Sequence, residues 1–221
     1  MCLSLFKPES INSLRDFNVF NGVEFSVLKR NTKVLIIDDD DIVVLNSLKK
    51  QDYDVEQKKD IESLNEIAAY DIVFCDVKGV GKMFSATYEG AHLVKQIKKQ
   101  FPDKMVISYS AIGYDSKYEE YLAYADARVA KGSTIEDWTN IIDEGIEKKA
   151  NPTVLWINTR NKLLDASVPI AQIAKYESKY VRAVKRGQFE SMKKLYERKN
   201  ETGAKIMAEL FKAIILLIKG V

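Results

Sequence analysis

Three runs of this chain are apolar with almost no interruption: KVLIID (33–38), DIVFCD (71–76) and MVISYSA (105–111). A strand exposed on one face alternates apolar and polar residues, so runs without alternation must be covered on both faces. Between and after them lie amphipathic segments. IVVLNSLKK (42–50), IESLNEIAAY (61–70), AHLVKQIKKQF (91–101), SKYEEYLAYA (116–125) and STIEDWTNIIDEGIEKK (133–149) read as helices, while YDVEQ (53–57) and ARVAK (127–131) read as short strands. The last helix opens with Ser133 and Glu136 at capping-box spacing, and Ile135, Trp138, Ile142 and Ile146 fall on one face. Strand and helix alternate five times, which predicts a parallel α/β sheet with helices on both sides.

What ends each strand points to the chemistry. Strand one ends at Asp38 and Asp39, strand three at Asp76, strand four at Ser110 and strand five at Lys131. In such sheets ligands bind at the carboxyl ends of the strands, where the strand order switches. Crowded carboxylates repel unless a cation or protons intervene. Mg2+, a hard ion that takes oxygen ligands and keeps several waters, suits this set. Lys131 and Ser110 would then face an anion held by the metal, and a phosphoryl group fits. Asp40 or Asp41, next in the acidic run, is accounted for as a helix N-cap.

Across roughly residues 33 to 149, the order and spacing of IIDDD, DIVFCD, SYSA and VAK resemble the receiver domain of two-component response regulators. The resemblance implies a flavodoxin-like, doubly wound five-stranded parallel sheet, followed here by a small all-α module. It implies that Asp76 is the phospho-acceptor, taking its phosphoryl group from a histidine kinase or phosphotransfer protein. The implied cofactor is Mg2+, with Asp38, Asp39, Asp76 and the backbone carbonyl of Lys78 as its contacts, Asp39 directly and Asp38 through water. Lys131 would pair with the phosphoryl oxygens and Ser110 would hydrogen-bond them. Such a chain is a regulatory phosphoprotein rather than an enzyme acting on other substrates.

The departures from the family concern relay more than chemistry. After Asp76 the family usually reaches an Asp-Gly about eight residues on, whereas VKGVGKMFSATYEG arrives at Gly90 about six residues later. Gly132 replaces the proline that usually follows the lysine. Three residues before Lys131, where the family carries an aromatic ring that rotates inward on phosphorylation, stands Arg128. Ser110 and Arg128 are therefore the switch candidates, with the arginine answering by charge. Tyr109, Tyr114, Tyr118, Tyr121 and Tyr124 gather around the fourth helix, where receivers meet partners, although tyrosines also half-bury on any amphipathic helix. His92, the single histidine, reads as a boundary residue, and Cys75 as core.

The C-terminal part carries no strand signal. Asn151-Pro152 breaks the chain, and helices are expected at 153–166, 168–187, 188–200 and 203–220. The last has a wide apolar stripe through Ile206, Met207, Leu210, Phe211, Ile214, Leu217 and Ile218, which predicts burial in a bundle and a homodimer through these helices. A membrane span is not expected, since an apolar run of about sixteen residues reaches only about 24 Å against about 30 Å of hydrocarbon. Residues 150–221 hold 14 basic against 6 acidic residues, a net +8 within an overall +2, which leaves −6 on the first 149. That charge could serve nucleic acid, an acidic protein or the acidic domain itself. The likeness of IAQIAKYESKYVRAVKRG to helix-turn-helix is weak, because Glu177-Ser178 stands at the turn and an uninterrupted helix fits better. No histidine follows residue 92, so a phosphotransfer bundle is excluded.

The division expected is thus an N-terminal extension (1–32), a receiver-like domain (33–149) and a helical output or dimerisation module (150–221). Residues 1–32 are too apolar for a solvated tail and should pack on one of the two. Two distant cysteines and the absence of a signal peptide pattern point to a cytoplasmic setting. The function expected is a response regulator acting through protein contacts. A DNA-binding transcriptional regulator and a phosphorylation-independent adaptor are the alternatives, nucleic acid being the less favoured partner.

Overall fold

The structure is a computed structural model that describes residues 9–17, 23–111, 116–189, 192 and 201–219. The chain divides into two compact units, one of Lys29–Ile146 and one that joins Met1–Leu28 to Glu147–Val221. This differs from the three-part division expected: the N-terminal segment groups with the C-terminal helices, and the boundary falls inside a helix rather than at its end.

The first unit is a five-stranded, all-parallel sheet of β1 (Lys33–Ile37), β2 (Asp54–Lys58), β3 (Ile72–Asp76), β4 (Met105–Ser110) and β5 (Ala127–Ala130), in the order β2-β1-β3-β4-β5. The three central strands are the uninterrupted apolar runs, and β3 is buried at every position. The edge strands β2 and β5 alternate exposed and covered residues, as strands with one neighbour do. The order reverses between β1 and β3, so their carboxyl ends flank the crevice where such sheets bind ligands.

Helix α1 (Phe25–Arg30) crosses the boundary between the units, and α2 (Leu45–Lys50), α3 (Glu89–Gln100), α4 (Ser116–Leu122) and α5 (Ile135–Ala150) follow along the chain of the sheet unit, α5 running past its end. Helix α2 starts three residues later than its apolar spacing suggests, for a reason visible in the loop before it. The Gln57 amide donates to the carbonyls of Asp38 (3.0 Å) and Asp40 (2.5 Å), and its oxygen accepts from the Ile42 N–H (3.3 Å), which holds 38–42 out of the helix. The segment expected as a helix at 61–70 is instead a 3-10 helix over Leu64–Ala69, because Ser63 and Glu66 form a capping box that delays its start. The capping box of α5 belongs to Thr134 and Asp137, one residue beyond the expected pair: the Thr134 N–H donates to Asp137 Oδ2 (2.8 Å) and the Asp137 N–H to Thr134 Oγ1 (3.2 Å).

Two glycines set close approaches. A Cβ on Gly145 would lie 2.7 Å from Ile72 Cδ1 and Met105 Sδ, so α5 lies flush on the sheet only without one. Phe74 stacks on Trp138 at 4.5 Å between ring centroids, and Tyr109 meets the same indole edge-on at 5.0 Å. A Cβ on Gly90 would lie 1.7 Å from the Asp76 carbonyl oxygen, so the first turn of α3 abuts the end of β3.

In the second unit, α6 (Pro152–Asp165), α7 (Ile170–Arg186) and α8 (Thr202–Lys219) match three of the expected helices within a few residues. The expected helix at 188–200 lies almost wholly outside the described residues. Asn151 caps α6 by accepting from Thr153 (2.9 Å) and Val154 (3.2 Å), with Pro152 in the first turn. Helix α7 is uninterrupted to its C-cap Gly187, at φ +62. Trp156 and Tyr180 stack at 5.3 Å, the Tyr180 hydroxyl donates to the Pro152 carbonyl (2.6 Å) and the Trp156 indole to Glu177 (2.9 Å). The N-terminal segment binds the same helix: Leu14 is fully buried and the Ile11 N–H donates to Glu177 (3.0 Å). Met207, Leu210, Ile214 and Leu217 of the apolar stripe are buried within the chain, where α8 packs on α6. No helix among the described residues is long and apolar enough to cross a membrane.

Gly90→Ala is expected to lower the stability of the sheet unit by about 2–3 kcal/mol, since the backbone must separate to admit the methyl group. Gly132→Ala, whose Cβ would have nothing within 4 Å, is expected to stay within about 0.5 kcal/mol. Urea midpoints of the two variants make the comparison.

Candidate functional site

At the carboxyl ends of β1, β3 and β5 a single ammonium joins two carboxylates. Lys131 Nζ lies 2.6 Å from Asp76 Oδ2, 2.9 Å from Asp38 Oδ2 and 3.8 Å from Asp40 Oδ2. Asp38 is 0% exposed and Asp76 is 4% exposed, so this charge cluster is desolvated rather than a surface ornament. The register explains the meeting. Asp76 pairs with Tyr109 across β3 and β4, and Ser110 pairs with Ala130 across β4 and β5, which sets Lys131 one residue past the ladder. The Lys131 N–H donates to the Ser110 carbonyl (2.9 Å), tying the two strand ends together.

Burial pushes the Asp76 carboxyl above its usual range, against the opposing pull of Lys131 and the Lys78 N–H. Burial alone would lower the Lys131 ammonium, but hydrogen bonds to Asp76 and Asp38 outweigh it and hold the group above its ordinary value. With two carboxylates to one ammonium, the pocket retains negative charge. The carboxylate oxygens of Asp38, Asp39 and Asp40 come within 4.8 Å of one another. Asp39 rests in the space left by Gly79, where a Cβ would be 2.4 Å from its oxygens. An all-oxygen set of this kind fits a hard divalent cation such as Mg2+. Among the described residues Asp76 is not part of that threefold set, and Asp40 is.

The loop after β3 is built to reach the site. Gly79 and Gly81 adopt φ of +85 and +70, a region that other residues enter only with strain. The Gly79 N–H donates to Glu89 (2.8 Å), the Gly81 N–H to Asp60 (2.7 Å) and the Lys78 N–H to Asp76 Oδ1 (3.4 Å). Sequence reasoning noted the extra length of this loop without the bonds that shape it.

Of the residues expected at the site, Asp38, Asp76 and Lys131 are in direct contact, Asp39 and Lys78 border them, and Ser110 adjoins through the backbone. Arg128 turns elsewhere: its guanidinium makes a two-pronged pair with Glu119 of α4, at 2.7 and 3.1 Å. Tyr109, grouped by sequence with the tyrosines of the fourth helix, is instead a pocket residue. It is buried under Lys131, whose ammonium lies 5.3 Å from the ring centre, and burial beside Asp38 pushes its hydroxyl up to about 12. Its place directly before Ser110 in a buried strand was the available signal. Tyr118, Tyr121 and Tyr124 do lie on or beside α4, where Tyr121 packs on Tyr88 (4.4 Å) and on half-buried His92 (5.5 Å), while Tyr114 lies outside the described residues. Asp38, Asp40, Tyr109, Lys131, Ser133 and Trp138 also line a cleft of ≈ 220 Å³ that opens beside the pocket.

Lys131→Met leaves Asp38 and Asp76 buried without their cation, and is expected to cost about 3 kcal/mol at neutral pH. A carboxyl whose folded-state pKa is raised binds its proton more tightly in the folded protein. Lys131 pulls the Asp76 carboxyl down, so its loss raises that group further in the variant than in the parent, and the deficit should shrink as pH falls through the variant's Asp76 titration. Urea unfolding of variant and parent at neutral and acidic pH reads both effects.

No protein-family model and no curated protein matches the sequence. Among solved structures, the chain is similar to a response regulator from Thermotoga maritima, at 20% identity and a TM-score of 0.42, covering 52% of this chain and 97% of that one. It is similar to the CheY-like receiver domain protein from Methanospirillum hungatei JF-1, at 22% identity and a TM-score of 0.40, covering 53% and 94%. It is also similar to the receiver domain of NtrX from Brucella abortus, at 23% identity and a TM-score of 0.43, covering 52% and 98%. The structural neighbours of this chain are response regulator receiver domains over about half its length, and its C-terminal part is unmatched.

Proposed function

We propose that the chain is a response regulator of a two-component phosphorelay in which Asp76 is the phospho-acceptor. The observation that carries this reading is the Lys131 ammonium held between the buried carboxylates of Asp76 (2.6 Å) and Asp38 (2.9 Å) at the carboxyl edge of the parallel sheet. In the proposed transfer an Asp76 carboxylate oxygen attacks the phosphorus of a phosphohistidine on a kinase or phosphotransfer protein. A P–O bond forms, the P–N bond breaks and the imidazole leaves. Such transfers need positioning and charge neutralisation more than covalent assistance.

The named side chains divide that work. Lys131, with three donors on its ammonium, follows the charge from the carboxylate to the phosphoryl oxygens. Ser110, at the end of β4, supplies a hydroxyl to the same oxygens. The Lys78 N–H, 3.4 Å from Asp76 Oδ1, steadies the acceptor carboxylate. Mg2+, when bound, supplies the positive charge that offsets the phosphoryl oxygens. Asp38, Asp39 and Asp76 with the Lys78 carbonyl would hold it, and Asp40 stands close enough to join.

A phosphoryl group adds up to about two negative charges beside Lys131. Strand β5 (Ala127–Ala130) carries Arg128, paired with Glu119 of α4, at its second position and ends at the residue before Lys131, so charge engages it near both ends. In this reading phosphorylation alters protein contacts around α4 and the activity of the helical unit. A cytoplasmic location follows from the reading, since the donor kinases act there.

With Mg2+ and a small-molecule phosphodonor, the full chain is expected to gain one acid-labile phosphoryl group, read by intact mass. Asp76→Asn should abolish the gain and Asp39→Asn should weaken it severely. Labelling that persists in Asp76→Asn overturns the assignment, and a chain that takes no label is an adaptor on the same scaffold.

A further inference from the structure

Helix α3 opens on a residue that does not suit its backbone. Glu89 has φ +46, a left-handed value it shares among the described non-glycine residues with Asp52 and Ser167. Such strain persists where the surroundings over-determine the conformation. Here they do. The Glu89 N–H donates to the Ser85 carbonyl (2.8 Å), and its carboxylate accepts from the Gly79 N–H (2.8 Å). Its backbone also lies 3.2–3.3 Å from where a Cβ on Gly81 would stand. Glycine would adopt this φ freely, but it would leave the Gly79 N–H without its acceptor.

We infer that Glu89 is a positioning residue for the divalent cation, acting through the peptide that joins Lys78 to Gly79. This rests on the reading that Asp39 and the Lys78 carbonyl hold Mg2+. A trans peptide is planar, with its N–H and C=O pointing opposite ways, and no peptide of the described chain is cis. Fixing the Gly79 N–H on Glu89 therefore fixes the direction of the Lys78 carbonyl. The peptide before it is held too, since the Lys78 N–H donates to Asp76 Oδ1 (3.4 Å). An ionised acceptor makes the stronger kind of hydrogen bond, and it polarises the peptide so that its carbonyl oxygen becomes more negative.

The same glycine seats Asp39, whose oxygens lie 2.4 Å from where a Gly79 Cβ would be. One hydrogen bond from Glu89 thus governs two of the oxygen contacts expected for the metal. Glu89 is not among the carboxylates that come within 4.8 Å of one another, which are those of Asp38, Asp39 and Asp40. It acts by orienting ligands and not as one of them. Asp60 ties the loop at a different place. It accepts from the Gly81 N–H (2.7 Å) and the Ile61 N–H (2.8 Å), two residues beyond the peptide that carries the ligand oxygen.

The test titrates the full chain with MgCl2, followed by backbone amide shifts, and measures exchange of the Gly79 amide in metal-free protein. Glu89→Gly should weaken Mg2+ binding about 10- to 100-fold, the usual effect of losing a partner that orients a metal ligand. Its Gly79 amide should exchange faster, while its urea midpoint stays level or rises as the strain at this φ is relieved. Glu89→Gln keeps an acceptor for the N–H and should hold Mg2+ affinity within about fivefold of the parent. Asp60→Ala should lower the urea midpoint and leave Mg2+ affinity largely as it is. A Glu89→Gly variant that binds Mg2+ like the parent overturns the inference. So does one that loses affinity and urea midpoint together, which marks a structural residue. A Gln variant as weak as the Gly variant marks the charge itself, and an equal loss in Asp60→Ala marks general loosening of the loop; either overturns it as well. Asp39→Asn separates this inference from the reading beneath it. If Asp39→Asn weakens Mg2+ binding and Glu89→Gly does not, the role of Glu89 alone falls. If Asp39→Asn has no effect, or the parent takes up no Mg2+, both fall.

Discussion

One ammonium between two buried carboxylates organises the sheet unit. Three charged side chains from three different strands cannot be desolvated together unless they neutralise one another closely, and Lys131 meets both Asp38 and Asp76 within 2.9 Å. Everything that fixes those strand ends serves this contact. The parallel register brings Asp76 level with Tyr109 and Ser110 level with Ala130. The Lys131 N–H is tied to Ser110, and the Tyr109 ring lies beneath the ammonium. The same charge balance leaves the pocket sensitive to any added charge, because the ammonium at its centre has little water to compensate.

Close packing converts that contact into a rigid edge. Gly90 lets the start of α3 press on the Asp76 carbonyl, and Gly79 gives the Asp39 carboxylate its seat. These positions carry no chemistry, yet they decide where the chemistry can stand. The second unit follows a different principle. Its core is a set of amphipathic helices closed by the Trp156 and Tyr180 rings, and its polar contacts run from the N-terminal segment to Glu177, Ser178 and Lys185.

The sequence revealed most where one force dominates. Continuous apolar runs such as DIVFCD admit little except a strand covered on both faces, and the residues ending those runs were legible as a cluster from the fold class alone. It revealed less where a local contact competes with periodicity. The apolar spacing of 42–50 suggests a longer helix, but the Gln57 amide captures the backbone of 38–42 first. The segment at 61–70 carries a helical pattern, and the Ser63–Glu66 box shortens it to a 3-10 turn. Tyr109 was grouped with its neighbours in sequence, while its neighbours in space, Lys131 and Trp138, come from β5 and α5. Arg128 was recognised as an altered relay position that answers by charge, and the carboxylate that engages it is Glu119 of α4.

The Gln57 clamp separates shape from charge at the acidic loop. Ion pairs weaken as salt rises, because mobile ions screen them, whereas a neutral amide bonded to backbone carbonyls and an N–H is largely indifferent to ionic strength. The spacing of the carboxylates is therefore set by a residue of the edge strand that bears no charge, and the attraction of the pocket for its ligands by residues that do. Changes of ionic strength would retune how strongly the site holds a ligand while leaving its span intact.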